Sequence, residues 1–172
     1  GMGRQTERLQ DLERDAARLG KLLHSLQREL ADLPADMRQR PLSEARGQLT
    51  WPTQGRMLYR FGQTRGPGRR WQGIFLAAPK GRRIHAIARG RVAYADWLRG
   101  FGLLLILDHG QGYLSLYAHN QAIYKTLGEW VEAGETVAAT GDSGGLAESG
   151  LYFELRRAGR PVDPLPWLEG PG

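Results

Sequence analysis

From Leu49 onward the chain is cut into short apolar or alternating runs, with glycines at 62, 73, 81, 90, 102, 110, 112, 134, 141 and 150 between them. "RMLYRF", "GIFLAA", "RIHAIA", "GRVAYADW", "LLLILD", "YLSLYA", "TVAAT" and "LYFEL" each read as a strand bounded by turn residues. Runs this short leave no room for a helical core, and only "NQAIYK" is read as a helical turn. Many short strands joined by tight turns predict a mainly β fold, an antiparallel barrel or sandwich, over 49–169. In "SGLYFELRR", Leu151, Phe153 and Leu155 fall on one side of the pleat, and Tyr152, Glu154 and Arg156 on the other. The apolar side belongs to a core, so the polar side carries the question of function.

Before that region the hydrophobic period is different. Leu9, Leu12, Ala16, Leu19, Leu23, Leu26, Leu30 and Leu33 alternate spacings of three and four, the a/d seam of a coiled coil. The spacing predicts a helix over 4–33. A seam this narrow buries too little alone, so it is expected to face a partner helix and to contribute little to the β domain. Pro34 stops the helix, and 34–48 reads as a polar linker. Gly1 before Met2, in a chain that opens as if mid-helix, reads as a segment of a longer protein.

The 172 residues carry a net charge of +6, no cysteine and no apolar run long enough to span a bilayer. Eleven Lys or Arg side chains fall between Arg56 and Arg99, against Asp96 alone, so a basic face is expected. No helix-turn-helix, zinc-finger or aromatic RNA-binding pattern accompanies it, which argues against nucleic acid as the partner.

"GDSGG" at 141–145 matches the nucleophile loop of chymotrypsin-like proteases. The histidines upstream, His109 and His119, leave too little chain for the double barrel that such a triad needs, so Ser143 is read as a loop residue. Among the four histidines, His24 falls in the heptad helix, His85 in a strand and His109 at a strand end, and no metal-ligand spacing joins them. His119, closing the alternating "LYAHN" strand, is the best placed for acid–base work, but no nucleophile is in register with it.

Taken together, "WQGIF", "LDHGQGYLSLYAH", "GEWVEAGETVAATGDSGG" and "GLYFEL" resemble the lysostaphin or LytM-type zinc peptidase domain across Leu49–Leu168. The resemblance implies an antiparallel LytM-type β-barrel or sandwich whose metal-ligand positions here hold Trp71, Phe75 and Tyr152, with Gly150 in place of the first histidine of the last strand. An indole, a phenyl and a neutral phenol make no zinc shell, so no cofactor is expected. "LTWPTQGRMLYRFG", "RRWQGIFLAAPKG", "GRVAYADWLRGFG" and "LYFELRRAGRPVDPLPWL" are similar to the EnvC-type murein hydrolase activators, although "YAHN" stands where that group often has "YGYN". Membership would imply a non-catalytic periplasmic protein that binds N-acetylmuramoyl-L-alanine amidases and stimulates septal peptidoglycan splitting. Its coiled coil would be held by an FtsEX-type ABC complex, and peptidoglycan is a further possible partner. An active zinc endopeptidase and a peptidoglycan-binding module are the alternatives. The expected docking residues are Tyr152, Arg156, Trp71, Gln72, Phe101, Leu104, Tyr117 and His119, with Arg156 the one least expected in the core because burying an unpaired guanidinium is costly.

Overall fold

The computed structural model describes residues 2–31 and 41–170. A helix, α1 (Met2–Ala31), precedes eleven described strands: β1 (Arg56–Tyr59), β2 (Ile74–Ala77), β3 (Arg83–His85), β4 (Gly90–Leu98), β5 (Gly102–Asp108), β6 (Tyr113–Asn120), β7 (Ala122–Ile123), β8 (Trp130–Val131), β9 (Thr136–Ala139), β10 (Gly150–Arg157) and β11 (Arg160–Val162). The large sheet is antiparallel in the order β1-β2-β10-β6-β5-β4-β8, with β11 hydrogen-bonded to β10, and β3-β9-β7 form a second sheet. Each predicted run contains a strand. "NQAIYK" does not form the expected helical turn: Ala122 and Ile123 pair with Ala139 and Ala138.

Alternation along the central strands divides the protein into three layers. Leu105 and Leu107 of β5, Tyr113 and Tyr117 of β6, and Leu151, Phe153 and Leu155 of β10 face the small sheet, where they pack with Ile84, Val137 and Ala138. Their neighbours in sequence, Leu104, Ile106, Leu114, Leu116, Ala118 and Tyr152, face the other way and pack against Leu19, Leu23 and Leu26 of α1. Those leucines are spaced i, i+4, i+7, so one stripe of the helix meets the sheet.

From Leu12 to Leu30 the heptad seam is therefore spent on the β domain, which corrects the expectation of an independent helix; Leu33 and the side chain of Leu9 lie outside the described residues. Leu12 and Ala16 of the same seam border a cavity on the sheet, and Leu30 packs against the outer core. The helix also has polar tethers: Arg18 donates to the Arg99 carbonyl at 3.2 Å, and Arg69 stands 3.8 Å from Glu13. Asp15 packs so closely on Gly100 that a Cβ there would lie 2.3 Å from its carboxyl carbon, at a φ of +91°. No second helix for a coiled coil appears among the described residues. Of the segment read as a linker, 34–40 lies outside them, while Leu42 sits in a 3-10 turn (Leu42–Ala45) and is buried in the inner core.

Candidate functional site

The face of the large sheet beneath α1 ends in a cavity of about 220 Å³, bordered by Trp71, Gln72, Phe75, Phe101, His119, Tyr152 and Glu154 from the β domain and by Leu12, Asp15, Ala16 and Leu19 from the helix. Strand register explains the gathering. Tyr152 on β10 lies between Phe75 on β2 and Ala118 on β6, so the last two of the three degenerate ligand positions are cross-strand neighbours. Trp71 closes the group from the loop before β2, its ring 6.0 Å from that of Tyr152.

None of these three groups fits a zinc ion. Burial first, and then the adjacent Glu154 carboxylate, hold the Tyr152 hydroxyl well above its ordinary pKa, so it is a donor rather than a phenolate. That hydroxyl donates to Glu154 Oε2 at 2.5 Å, and Arg156 Nε donates to Glu154 Oε1 at 2.7 Å. Both carboxylate oxygens are thus engaged. Among the described residues, no group of three or more His, Cys, Asp or Glu side chains could hold a metal ion.

Arg156 departs from its expected placement. It is 7% exposed, and besides Glu154 it donates to the Gly159 carbonyl at 3.0 Å and to Gln72 Oε1 at 3.1 Å. The expected groove cation is a buried, fully partnered strut under Glu154 and Gln72. Tyr117 also leaves the expected set. It is wholly buried on the opposite face, where its hydroxyl accepts from Ile87 N at 3.2 Å and lies 2.9 Å from Ser115 Oγ. Leu104 is on the predicted face but fully covered, packed with the α1 leucines. Phe101, Gln72, Trp71, Tyr152 and His119 are brought together at the cavity.

His119 occupies a strained left-handed conformation, φ +67°, fixed by its own N–H donating to the Phe101 carbonyl at 2.8 Å. Its Nδ1 lies 2.8 Å from the Ser143 carbonyl, which assigns the proton to Nδ1 and leaves Nε2 as an acceptor. Burial is the first cause of its lowered pKa, and Arg65 adds to it, so the ring is neutral near pH 7. Ser143 is no nucleophile: its Oγ accepts from Leu103 N at 3.0 Å and donates to the Asn120 carbonyl at 2.7 Å. "GDSGG" is a brace that holds the β4–β5 hairpin against the end of β6.

The sequence reading missed Tyr59 and Arg65. Gly66, Pro67 and Gly68 turn the loop after β1 back on itself, with Arg65 N donating to the Arg69 carbonyl at 2.9 Å. The Arg65 guanidinium then lies 3.9 Å from the Trp71 ring centroid, and the Tyr59 ring stacks on Trp71 at 4.4 Å and 17°. Two planar groups this close to one ring take its two faces, so Trp71 is a spacer rather than a free aromatic surface. The available signal was "RGPGRRW", a glycine–proline turn that brings a cation back beside an aromatic.

Comparison with known proteins agrees with this geometry. The family model described as "Peptidase family M23" matches residues 69–164. The chain is 39% identical over 165 residues to the murein hydrolase activator EnvC of Escherichia coli K12, covering 96% of this chain and 39% of that protein. It is 42% identical over 119 residues to the murein hydrolase activator NlpD of the same organism, covering 69% of this chain and 30% of NlpD. A zinc-containing peptidase from Vibrio cholerae superposes with a TM-score of 0.64 at 25% identity, covering 68% of this chain and 39% of that one. A putative M23 peptidase from Pseudomonas aeruginosa shares the fold with a TM-score of 0.71 at 23% identity, covering 92% of this chain and 62% of that one. The chain thus spans well under half the length of these two activators. With more than half of its residues matched by the family model, it belongs to peptidase family M23.

Proposed function

We propose that this chain is part of a periplasmic, non-catalytic murein hydrolase activator that binds and stimulates N-acetylmuramoyl-L-alanine amidases during septal peptidoglycan splitting. The observation that carries the reading is the Trp71–Phe75–Tyr152 cluster. Where a peptidase needs three lone pairs converging on a metal, this groove has two apolar rings and a hydroxyl bonded to Glu154. The groove itself is kept, with an apolar floor and a polar wall suited to a protein partner.

The resident helix sets a condition on that partner. Leu19 and Leu23 are buried against the same face, so a partner reaching Leu104, Phe75 and Tyr152 must displace α1. Its apparent affinity is then reduced by the fraction of molecules whose helix is undocked. The membrane FtsEX-type complex, through the longer coiled coil, is a suitable agent for that displacement, a role supported by the resemblance alone.

Dye release from labelled sacculi tests the proposal, with the cognate amidase alone, this chain alone, and both. The expected result is release above the amidase baseline only in the mixture, increased when α1 is loosened by Leu23→Asp. Release by the chain alone, abolished by chelation and restored by zinc, would instead establish an endopeptidase.

A further inference from the structure

The carboxylates bordering the cavity already have partners. Both oxygens of Glu154 are bonded to Tyr152 and Arg156, Asp15 pairs with Arg18 at 3.0 Å, and Glu148 lies 3.7 Å from Arg56. Arg65, on the same wall, has none: among the described residues, its guanidinium makes no hydrogen bond or ion pair. Yet it does not swing freely into solvent, because the indole of Trp71 holds it at 3.9 Å and Tyr59 backs the indole from the other side. A guanidinium carries five donors in a planar fork that matches a carboxylate. Stacking fixes the plane of that fork, so less rotamer freedom is lost when it binds. Arg65 stays exposed as a residue, but partial burial of its guanidinium against Trp71 disfavours the charge, and an incoming anion would relieve that penalty.

We infer that Arg65, stacked on Trp71, is a carboxylate receptor, and that the protein docking in this groove presents an Asp or Glu side chain to it. The inference rests on the reading of the groove as a partner-docking site and adds the partner's chemistry. It also gives a means of discrimination. The resident helix answers Arg69 with Glu13 but leaves Arg65 unmatched, so a partner with an acid at this point gains a contact that α1 lacks. Of the helix, Arg65 feels only the longer-range charge of Asp15, so a partner carboxylate in direct contact gains more from it and exchange of the helix for the partner is favoured.

Two measurements on the whole chain test this. In the first, the 15Nε resonance of Arg65, assigned by its loss in Arg65→Leu, is followed while sodium glutarate is added, with glutaramide and sodium chloride as controls. A saturable shift at millimolar glutarate, absent with both controls, is expected; no shift overturns the receptor whatever the partner is. In the second, calorimetry compares cognate amidase binding to the wild type, Arg65→Lys, Arg65→Gln and Arg65→Leu, each first shown to melt like the wild type. Arg65→Leu is expected to weaken binding about tenfold, as for the loss of one charge-assisted hydrogen bond, and to flatten its salt dependence. Arg65→Gln, which keeps a planar group over Trp71, should lose as much, and Arg65→Lys less. Unchanged affinity and salt dependence in Arg65→Leu overturn the inference. Glutarate binding by a wild type that binds no amidase supports the receptor and removes the amidase reading instead.

Discussion

The two faces of the large sheet are built by the same strands from alternate residues, and they are closed in different ways. The inner face meets another sheet through Leu105, Tyr117, Phe153 and Leu155, in a core that cannot open without unfolding the domain. The outer face meets a single helix through Leu104, Leu116 and Tyr152, and under the proposed function that helix leaves as a unit. Burial is nearly equal, since Leu104, Leu105, Tyr117 and Phe153 are all fully covered. What differs is the free energy of uncovering: global unfolding on one side, helix undocking on the other. Fractional exposure alone therefore does not separate a structural core from the surface proposed for binding.

The largest effect expected from this contrast is on the inner face. Phe153→Ala should cost about 4 kcal/mol, the usual range for an emptied aromatic site, and should lower the main melting transition of the domain. Leu23→Ala removes a comparable contact from the outer face, but its effect on that transition is capped by the undocking free energy of α1. Hydrogen exchange should show the difference, with protection lost along α1 and retained in β5, β6 and β10. Equal loss in both variants would merge the two faces into one cooperative core.

Next in size is the buried salt bridge. Removing Arg156 leaves Glu154, 2% exposed, without its cation, so Arg156→Ala should cost about 3 kcal/mol of domain stability. Impaired amidase binding by that variant would then report a disturbed wall, and double-mutant cycles with Glu154→Gln would show coupling. A melt unchanged by Arg156→Ala would mean that the guanidinium is not the strut described.

A similar amount is expected from pH. His109 donates through Nδ1 to the Arg89 carbonyl at 2.9 Å, and its Nε2 lies 2.7 Å from Ser115 Oγ; burial holds its pKa down at about 4. The unfolded chain, with an ordinary histidine pKa near 6.5, takes up a proton that the folded chain refuses. The associated stability is therefore complete above about pH 6.5 and is lost as pH falls towards 4, a total of about 3 kcal/mol. His119, also lowered, acts in the same direction. Denaturant melts between pH 7 and 4 should show the loss, and His109→Gln should reduce its slope; a flat profile would contradict the assignment.

The smallest effect is at Ser143, where Ala removes the bridge from Leu103 N to the Asn120 carbonyl. A cost of about 1 to 2 kcal/mol is expected, read by thermal melts. The hairpin tip touching Asp15 should loosen with it, which carries the brace from the inner framework to the helix-covered side.

Much of the fold was legible because period-two alternation records which residues share a face. "LYFEL" and "YLSLYA" declared their two sides, and the structure places those sides in different cores. The short strands β7, β8 and β11, of two or three residues, are too brief to leave a periodic signal. The site was half legible. Trp71, Phe75 and Tyr152 follow from the resemblance, whereas the burial of Arg156 depends on Glu154 of its own strand and Gln72 of the loop before β2 both reaching it, and no local pattern encodes the second. The heptad seam misled for a physical reason: a stripe of leucines specifies burial but not the partner, and a sheet face accepts Leu19, Leu23 and Leu26 as readily as a second helix. Tyr117 misled because phenols serve interfaces and cores alike; its packing on the inner face and its hydrogen bonds to Ile87 and Ser115 assign it to the core.

The central claim is that the face α1 covers is the face a partner uses. Its most direct test is the equilibrium affinity of the cognate amidase for the wild-type chain and for Leu23→Asp, measured by calorimetry under one set of conditions. Undocking α1 should raise the competent fraction and tighten binding by about tenfold or more, while the β domain retains its melt. Equal or weaker binding by Leu23→Asp, with the helix shown by hydrogen exchange to have left the sheet, would contradict the account.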